Sequence, residues 1–354
     1  MSDELLIYGS YGYTGTLVAK TAVDEGTSPV LAGRRAEAVE AQATELGLNH
    51  QTFTLKHPAI IEQSVSHFDA VLNCAGPFSS TATPLIDACL ATGTDYLDIA
   101  GQIDVLESIA ERDNDAIEAD VTLLPAVGFD VVPTDCLAVY LSNQVENPTR
   151  LRLALDGLRT FSPGTGKSIV EGLHRPGAVR ENGEIRDVPP AWKSRAFTFD
   201  GADKEAVTVP WGDVSTAFYA TDIPDIETYA TVPEYANTVM KRSGKITRLL
   251  GSTPVQKALK SLVDTVVSGP TAAQRDQNVA RIIGEVETDD GDEASAWLQT
   301  SDPYDLSAQT AVKSASRVLD NEVEAGFLTP GKAFGPDYVL EFPGVERRDI
   351  DISD

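Results

Sequence analysis

Three glycines set three residues apart, Gly9, Gly12 and Gly15, join an apolar run to an amphipathic one, and this junction limits the fold more than any other feature. Residues 4–8, Glu-Leu-Leu-Ile-Tyr, have the length and apolar content of a short buried strand. Leu17, Val18, Ala19 and Val23 recur at helical spacing behind the turn. Strand, glycine turn and helix, in that order, open a dinucleotide-binding unit. Glycine is needed where the turn is tight, where backbone approaches a pyrophosphate, and where helix meets strand. Free amides and the positive end of the helix then hold phosphate. Tyr11, Tyr13 and Thr14 fill the intervening positions and join the three glycines as candidate cofactor contacts.

A second strand over Pro29–Ala32 is followed by Gly33-Arg34-Arg35, and Arg34 stands 19 residues after Gly15. A site for NAD places Asp or Glu about 20 residues on, to accept from the ribose 2'-hydroxyl. Two arginines occupy that place, and a guanidinium forks two N–H groups toward phosphate oxygens. Arg34 and Arg35 therefore favour NADP over NAD. The alternative is that both cap or solvate the next helix, Ala36–Leu46.

The alternation continues with a strand at Gln51–Thr54, a helix from Pro58, a strand at Ala70–Asn73 and a helix at Thr83–Ala91. A strand at Asp95–Ile99, a helix at Val105–Glu118 and a strand at Val121–Pro125 complete it. Six strands with helices between them predict a parallel sheet wrapped on both faces, an α/β Rossmann domain over residues 1–135. Ligands in such sheets lie beyond the carboxyl ends of the strands. Asn73, Cys74, Ala75, Gly76 and Pro77 after one strand, Gly101 after the next, and Gly128 and Phe129 after the last are thus further cofactor candidates.

The chain has 354 residues, long enough for two domains. Its 54 acids against 28 lysines and arginines give a net charge of −26, dispersed along the sequence. Dispersed acid argues for adaptation to a salty cytoplasm, where a Debye length of about 3 Å near 1 M salt quenches self-repulsion. It argues against nucleic acid as a partner. Cys74, Cys89 and Cys136 lack Cys-x-x-Cys spacing, and the four histidines lack ligand spacing, so neither disulfides nor a metal are expected. No apolar run reaches a membrane span, and the expected location is cytoplasmic.

Five segments in order carry a family likeness: Tyr8-Gly-Ser-Tyr-Gly-Tyr-Thr-Gly15, Leu31-Ala-Gly-Arg-Arg35, Asn73-Cys-Ala-Gly-Pro-Phe78, Tyr96-Leu-Asp-Ile-Ala-Gly101 and Gly128-Phe-Asp-Val-Val-Pro-Thr-Asp135. With Thr208-Val-Pro-Trp-Gly-Asp213, Tyr219-Ala-Thr-Asp-Ile-Pro224 and Gly326-Phe-Leu-Thr-Pro330, the chain resembles the saccharopine dehydrogenase-like oxidoreductases, and among them the trans-acting enoyl reductases. The resemblance implies a Rossmann domain, then an α+β domain on a mixed sheet over 136–330 for substrate and dimerisation, and a segment 331–354 that returns to the first domain. It also implies reduction of a carbon–carbon double bond in a hydrophobic or lipid-linked small molecule. Gln102 stands where the family often has Glu, and Ser162-Pro-Gly-Thr-Gly-Lys-Ser168 replaces a Gly-Gly-Thr-x-x-Ser loop.

Hydride chemistry belongs to the cofactor, so the protein must supply orientation and a proton. Asp98, Asp130 and Asp135 lie at or after strand ends. Thr134 and Asp135 look like a cap and first turn, which leaves Asp130 as the first carboxylate candidate. Lys167, in a glycine-rich loop, and Tyr219 are the donors proposed from the second domain. Cys136 in a first helical turn is a candidate for a lowered thiol pKa, or is simply buried. No tyrosine is followed four residues later by lysine, which excludes the short-chain dehydrogenase pattern. Two rivals stay open: a saccharopine-type imine reductase using Arg159, Lys167 and Arg175 for substrate carboxylates, and a non-catalytic NADP-sensing protein. A pocket of Phe161, Trp192, Trp211 and Phe218 would favour the lipid reading. Finally, Lys241, Arg242, Lys245, Arg248, Lys257 and Lys260 fall in a stretch without acids, ahead of and within an amphipathic helix capped by Thr253. Segment 241–267 thus offers peripheral membrane contact, or else a core or homodimer face.

Overall fold

A computed structural model describes residues 4–157, 161–232 and 251–350. The chain forms two compact units, residues 1–132 with 304–334, and residues 133–303 with 335–354.

The first unit begins β1 (Leu5–Tyr8), α1 (Tyr13–Asp24), β2 (Val30–Gly33), α2 (Ala36–Leu46), β3 (His50–Thr52), α3 (Pro58–Val65) and β4 (Ala70–Asn73). It continues through α4 (Phe78–Thr92), β5 (Asp95–Asp98), α5 (Ile103–Ala110), α6 (Asp113–Ala119) and β6 (Thr122–Leu124). Leu6, Ile7, Val71, Leu72, Leu97 and Leu123 are fully buried in these strands, as continuous apolar runs covered on both faces must be. The sheet runs β6-β5-β4-β1-β2-β3, every pairing parallel, so the order reverses between β1 and β4. That reversal is the topological switch point.

The second unit opens with α7 (Val132–Ser142), β7 (Arg150–Asp156), α8 (Pro163–Gly172), β8 (Gly177–Glu181), β9 (Glu184–Val188), β10 (Ser194–Phe199), β11 (Ala202–Thr208), α9 (Asp213–Thr221) and β12 (Asp225–Thr231). It closes with α10 (Thr253–Val266), α11 (Ala272–Arg275), β13 (Ala280–Glu287) and β14 (Glu293–Thr300). Its nine-stranded sheet is mixed, with β12 and β7 parallel and the other pairings antiparallel. α7 packs on this sheet so closely that a Cβ on Gly284 would lie 2.5 Å from Leu141 Cδ1.

The chain then returns to the first unit with α12 (Pro303–Leu319), β15 (Gly326–Phe327) and α13 (Pro330–Phe334). β15 adds a seventh parallel strand beside β6, and Ala308, Ala311, Val312 and Ala315 of α12 join the core of Ile7, Leu31 and Leu72. The returning segment is thus 304–334, not the expected 331–354. Residues 335–354 instead carry β16 (Glu346–Asp349), which pairs with β14 in the second sheet.

Three local readings are also corrected. The helix expected at Val105–Glu118 is two helices, α5 and α6. The glycine-rich loop around Lys167 is the helix α8: Ser162 caps it by accepting from the Thr165 amide at 3.1 Å, Pro163 sits in its first turn, and Val263 fills the space beside Gly166. In α10 the cap position belongs to Ser252, and Thr253 is the first helical residue. α10 packs on α8, with Gln256 donating to the Val170 carbonyl and Lys260 paired with Glu171, while Leu262 and Val266 are exposed. Lys241, Arg242, Lys245 and Arg248 lie outside the described residues, as does Arg159. Among the described residues no helix is long and apolar enough to cross a membrane.

Candidate cofactor and active site

The glycine turn after β1 is built so that two positions admit no side chain. Gly9 has φ +82°, and a Cβ there would lie 2.6 Å from Ala75 Cβ. A Cβ on Gly15 would lie 2.4 Å from the Gly9 carbonyl oxygen, so α1 can approach β1 only with glycine there. At the end of β2, a Cβ on Gly33 would meet the Tyr11 ring at 2.5 Å. Gly12 is the N-cap of α1, and neither a side-chain cap nor an acid occupies the first turn, which leaves the helix end disposed toward an anion. Tyr13 and Thr14 begin the helix, and the Tyr13 ring packs edge-on against Tyr304 at 5.0 Å. Gln42, a polar residue on the buried stripe of α2, donates to the Ser10 carbonyl at 2.8 Å and ties down the turn. The sequence signal for it was that polar residue in an apolar register.

Arg34 and Arg35 lie exposed just past β2. Among the described residues at least nine arginines sit in ion pairs with Asp or Glu. Neither Arg34 nor Arg35 is paired with a described carboxylate. In a chain with nearly twice as many acids as bases, two adjacent cations held apart from acids suit an incoming phosphate. Arg35 is also the N-cap residue of α2, without a side-chain cap bond, and its guanidinium lies over the Tyr11 ring at 4.5 Å.

The loops after β4, β5 and β6 are fastened to one another by a buried polar chain. Asn73 Nδ2 donates to Tyr96 Oη at 3.1 Å and to Thr81 Oγ1 at 3.3 Å, while its Oδ1 accepts from the Ala75 amide at 3.0 Å. Tyr96 Oη donates to Asp98 Oδ2 at 2.8 Å, and Asp98 Oδ1 accepts from the amides of Ala100 and Ala126, each at 2.9 Å. Burial raises the Asp98 carboxyl above its ordinary range, opposed by these hydrogen bonds. Cys74 is buried, and burial pushes its thiol up to about 12, so it supports the loop as a neutral group. The Gly76–Pro77 peptide is cis, and Pro77 is the N-cap residue of α4.

Asp130 meets Gly101: a Cβ on Gly101 would lie 2.9 Å from Asp130 Oδ2. Asp130 is solvent-exposed, yet the protein crowded around it desolvates the carboxyl and raises it to about 6. Gly128 packs against Ile99 and Ser307, and the Phe129 amide donates to Ser307 Oγ at 2.9 Å. Phe129 is itself buried, so its amide and ring are both committed within the protein. Thr134 lies inside α7 rather than at its cap, with Asp135 in the first turn. Cys136 is buried, and burial raises its thiol well above the ordinary range, against the lowered value expected of a first-turn cysteine.

In the second unit Lys167 is a half-buried residue of α8 and Tyr219 a half-buried residue of α9. Arg180 is buried beneath α9, donating to the carbonyls of Val214 and Gly183, with its guanidinium 4.3 Å from the Phe218 ring and 5.8 Å from Tyr219. Phe161 and Trp192 are exposed, and Trp211 and Phe218 half-buried. Among the described residues no group of three His, Cys, Asp or Glu is placed to hold a metal ion.

Comparison with known proteins gives the first sheet a domain family. Residues 5–124 match the model of the saccharopine dehydrogenase NADP binding domain. The chain is 27% identical over 214 residues to a saccharopine dehydrogenase-like oxidoreductase of Rattus norvegicus, covering 53% of this chain and 50% of that protein. It is 34% identical over 145 residues to a trans-acting enoyl reductase of Mycobacterium leprae, covering 39% and 34%. The chain therefore spans half or less of the length of these relatives. Saccharopine dehydrogenase (L-Glu forming) of Saccharomyces cerevisiae has the same fold, with TM-score 0.67 at 11% identity over 99% of this chain and 100% of that one. The sheet from β1 to β6 is thus a saccharopine dehydrogenase-type NADP-binding domain, and the chain as a whole shares the fold of saccharopine dehydrogenase.

Proposed function

We propose that the protein is an NADP-dependent oxidoreductase that reduces a carbon–carbon double bond in a hydrophobic or lipid-linked substrate, with Asp130 as its proton donor. The observation that carries this reading is the place of Asp130, just past β6 and against Gly101 in the unit that binds NADP, and desolvation that raises its carboxyl to about 6 supports it. The glycines at 9 and 15 fit a bound pyrophosphate, and Arg34 and Arg35 fit a 2'-phosphate. When bound, the nicotinamide supplies hydride; the chain must supply the matching proton. A carboxyl near 6 is protonated in mildly acidic solution and ionises within reach of neutrality, the range in which a general acid works well. The buried chain from Asn73 through Tyr96 to Asp98 holds the loops that orient the cofactor. Partial identity to a trans-acting enoyl reductase supports the double-bond substrate class.

The test is oxidation of NADPH at high salt with enones and imines offered separately. Turnover with enones, falling as pH rises through about 6 and losing that dependence in Asp130→Asn, is the expected result. Turnover with imines alone would reassign the substrate to the saccharopine type. Tight NADPH binding without oxidation by any acceptor would make the protein a sensor.

A further inference from the structure

The second strand ends on Gly33, and the space where a side chain would stand belongs to Tyr11. A Cβ on Gly33 would lie 2.5 Å from Tyr11 Cε1 and 3.3 Å from its Cδ1 and Cζ. The same ring carries the Arg35 guanidinium at 4.5 Å from its centroid. Tyr11 thus bridges two segments that meet a dinucleotide at different points: the phosphate turn after β1, to which it belongs, and the arginine pair after β2. Arg35 is exposed and has no described carboxylate partner, so the ring is what fixes its direction. Arg34, beside it, has no ring contact among the described residues.

We propose that Tyr11 is the positioning residue that sets the preference for NADP over NAD: seated on Gly33, its ring holds Arg35 where the guanidinium forks onto the 2'-phosphate. The inference rests on the assignment of the site to NADP. An arginine free in solvent must give up the rotations of a long side chain to bind, and one already laid on a ring gives up fewer. Gly33 is part of the device, since any side chain there evicts the ring. Its backbone is extended, so alanine brings no conformational strain of its own.

The experiment is titration of the full chain with NADPH and, separately, NADH, for wild type, Tyr11→Phe, Tyr11→Ala, Gly33→Ala and Arg35→Ala. Arg35→Ala is expected to weaken NADPH roughly 10- to 100-fold and leave NADH nearly unchanged. Tyr11→Ala and Gly33→Ala are expected to weaken NADPH roughly three- to fivefold more than they weaken NADH. Tyr11→Phe keeps the ring and is expected to keep the preference. Combining Tyr11→Ala with Arg35→Ala should cost no more NADPH affinity than Arg35→Ala alone, because the ring acts through the arginine. Equal weakening of both nucleotides by Tyr11→Ala and Gly33→Ala would make the ring a structural prop of the turn and overturn the proposal. An unchanged NADPH to NADH ratio in both variants would overturn it as well. Wild type that binds NADH as tightly as NADPH, or binds neither, would overturn the assignment to NADP itself, and the inference with it.

Discussion

At the scale of single residues, the cofactor site depends on atoms that are missing as much as on atoms that are present. Gly15→Ala would drive a methyl group to 2.4 Å from the Gly9 oxygen and 2.9 Å from the Ser10 oxygen. Both are backbone, and the turn must move; a loss of stability of about 1–3 kcal/mol with at least tenfold weaker NADPH binding is expected from thermal melts and titration. Asp98 illustrates the opposite case, a group whose every bond is used. Asp98→Asn can keep both amides on its oxygen, but its NH₂ then faces Tyr96 Oη, which already accepts from Asn73. The Tyr96 hydroxyl hydrogen is left without an acceptor in a buried site, at about 1–3 kcal/mol of stability measurable by denaturant unfolding. Asp130 should behave differently from both. Its folded pKa is raised from 3.8 to about 6, so the stability it lends is present below 3.8 and lost as pH rises through about 6. Asp130→Asn should therefore melt no lower than wild type above pH 6, while turnover falls by about 10²-fold or more.

At the scale of elements, the sheet edge beyond β6 is secured by one carboxylate. The Phe327 amide of β15 donates to Asp113 Oδ1 at 2.7 Å, and the Gly326 amide donates to the Val121 carbonyl at 2.9 Å. Asp113→Ala removes the first of these bonds, and loss of about 1–3 kcal/mol with faster amide exchange at Phe327 is expected. This edge also marks the limit of what sequence reveals. α2 and β4 were legible to the residue, because each pairs a clear apolar period with a punctuating neighbour, Arg35 or Gly47 for the helix and Asn73 for the strand. The break between α5 and α6 was not, because the apolar spacing runs on through it while Arg112 turns aside to Asp87 and Asp115. α4 begins at Phe78, five residues before the expected start at Thr83, since the bond that Pro84 cannot make falls on the Ser80 carbonyl at an exposed position. α8 hid behind its glycines, and the packing of Gly166 against Val263 is a tertiary fact. The return of α12 and β15 to the first sheet was invisible for the same reason: periodicity names a strand but not the sheet it joins. Of the site, the phosphate turn and the arginines could be read from spacing, whereas Gln42, Thr81 and the Tyr96–Asp98 chain act through contacts between elements far apart in sequence.

For the molecule as a whole, the net charge of −26 on 354 residues sets the conditions under which it should be studied. Self-repulsion over a screening length of about 10 Å at 0.1 M salt shrinks to about 3 Å at 1 M. The melting temperature is therefore expected to rise between those salt concentrations, and a flat or falling curve would remove salt adaptation as the reason for the acidic composition. Two units built on different sheets, one of them a nucleotide domain with its phosphate turn, arginine pair and Asp130, are the parts the proposed NADP-dependent reductase needs. The measurement that bears most directly on that reading is NADPH absorbance followed at high salt with an enone acceptor, for wild type and Asp130→Asn side by side. Wild type should oxidise NADPH only when the enone is present, and Asp130→Asn should bind NADPH equally well but turn over about 10²-fold more slowly. Equal rates for the two proteins would remove Asp130 from the chemistry, and binding of NADPH with no oxidation by wild type would contradict the enzyme itself.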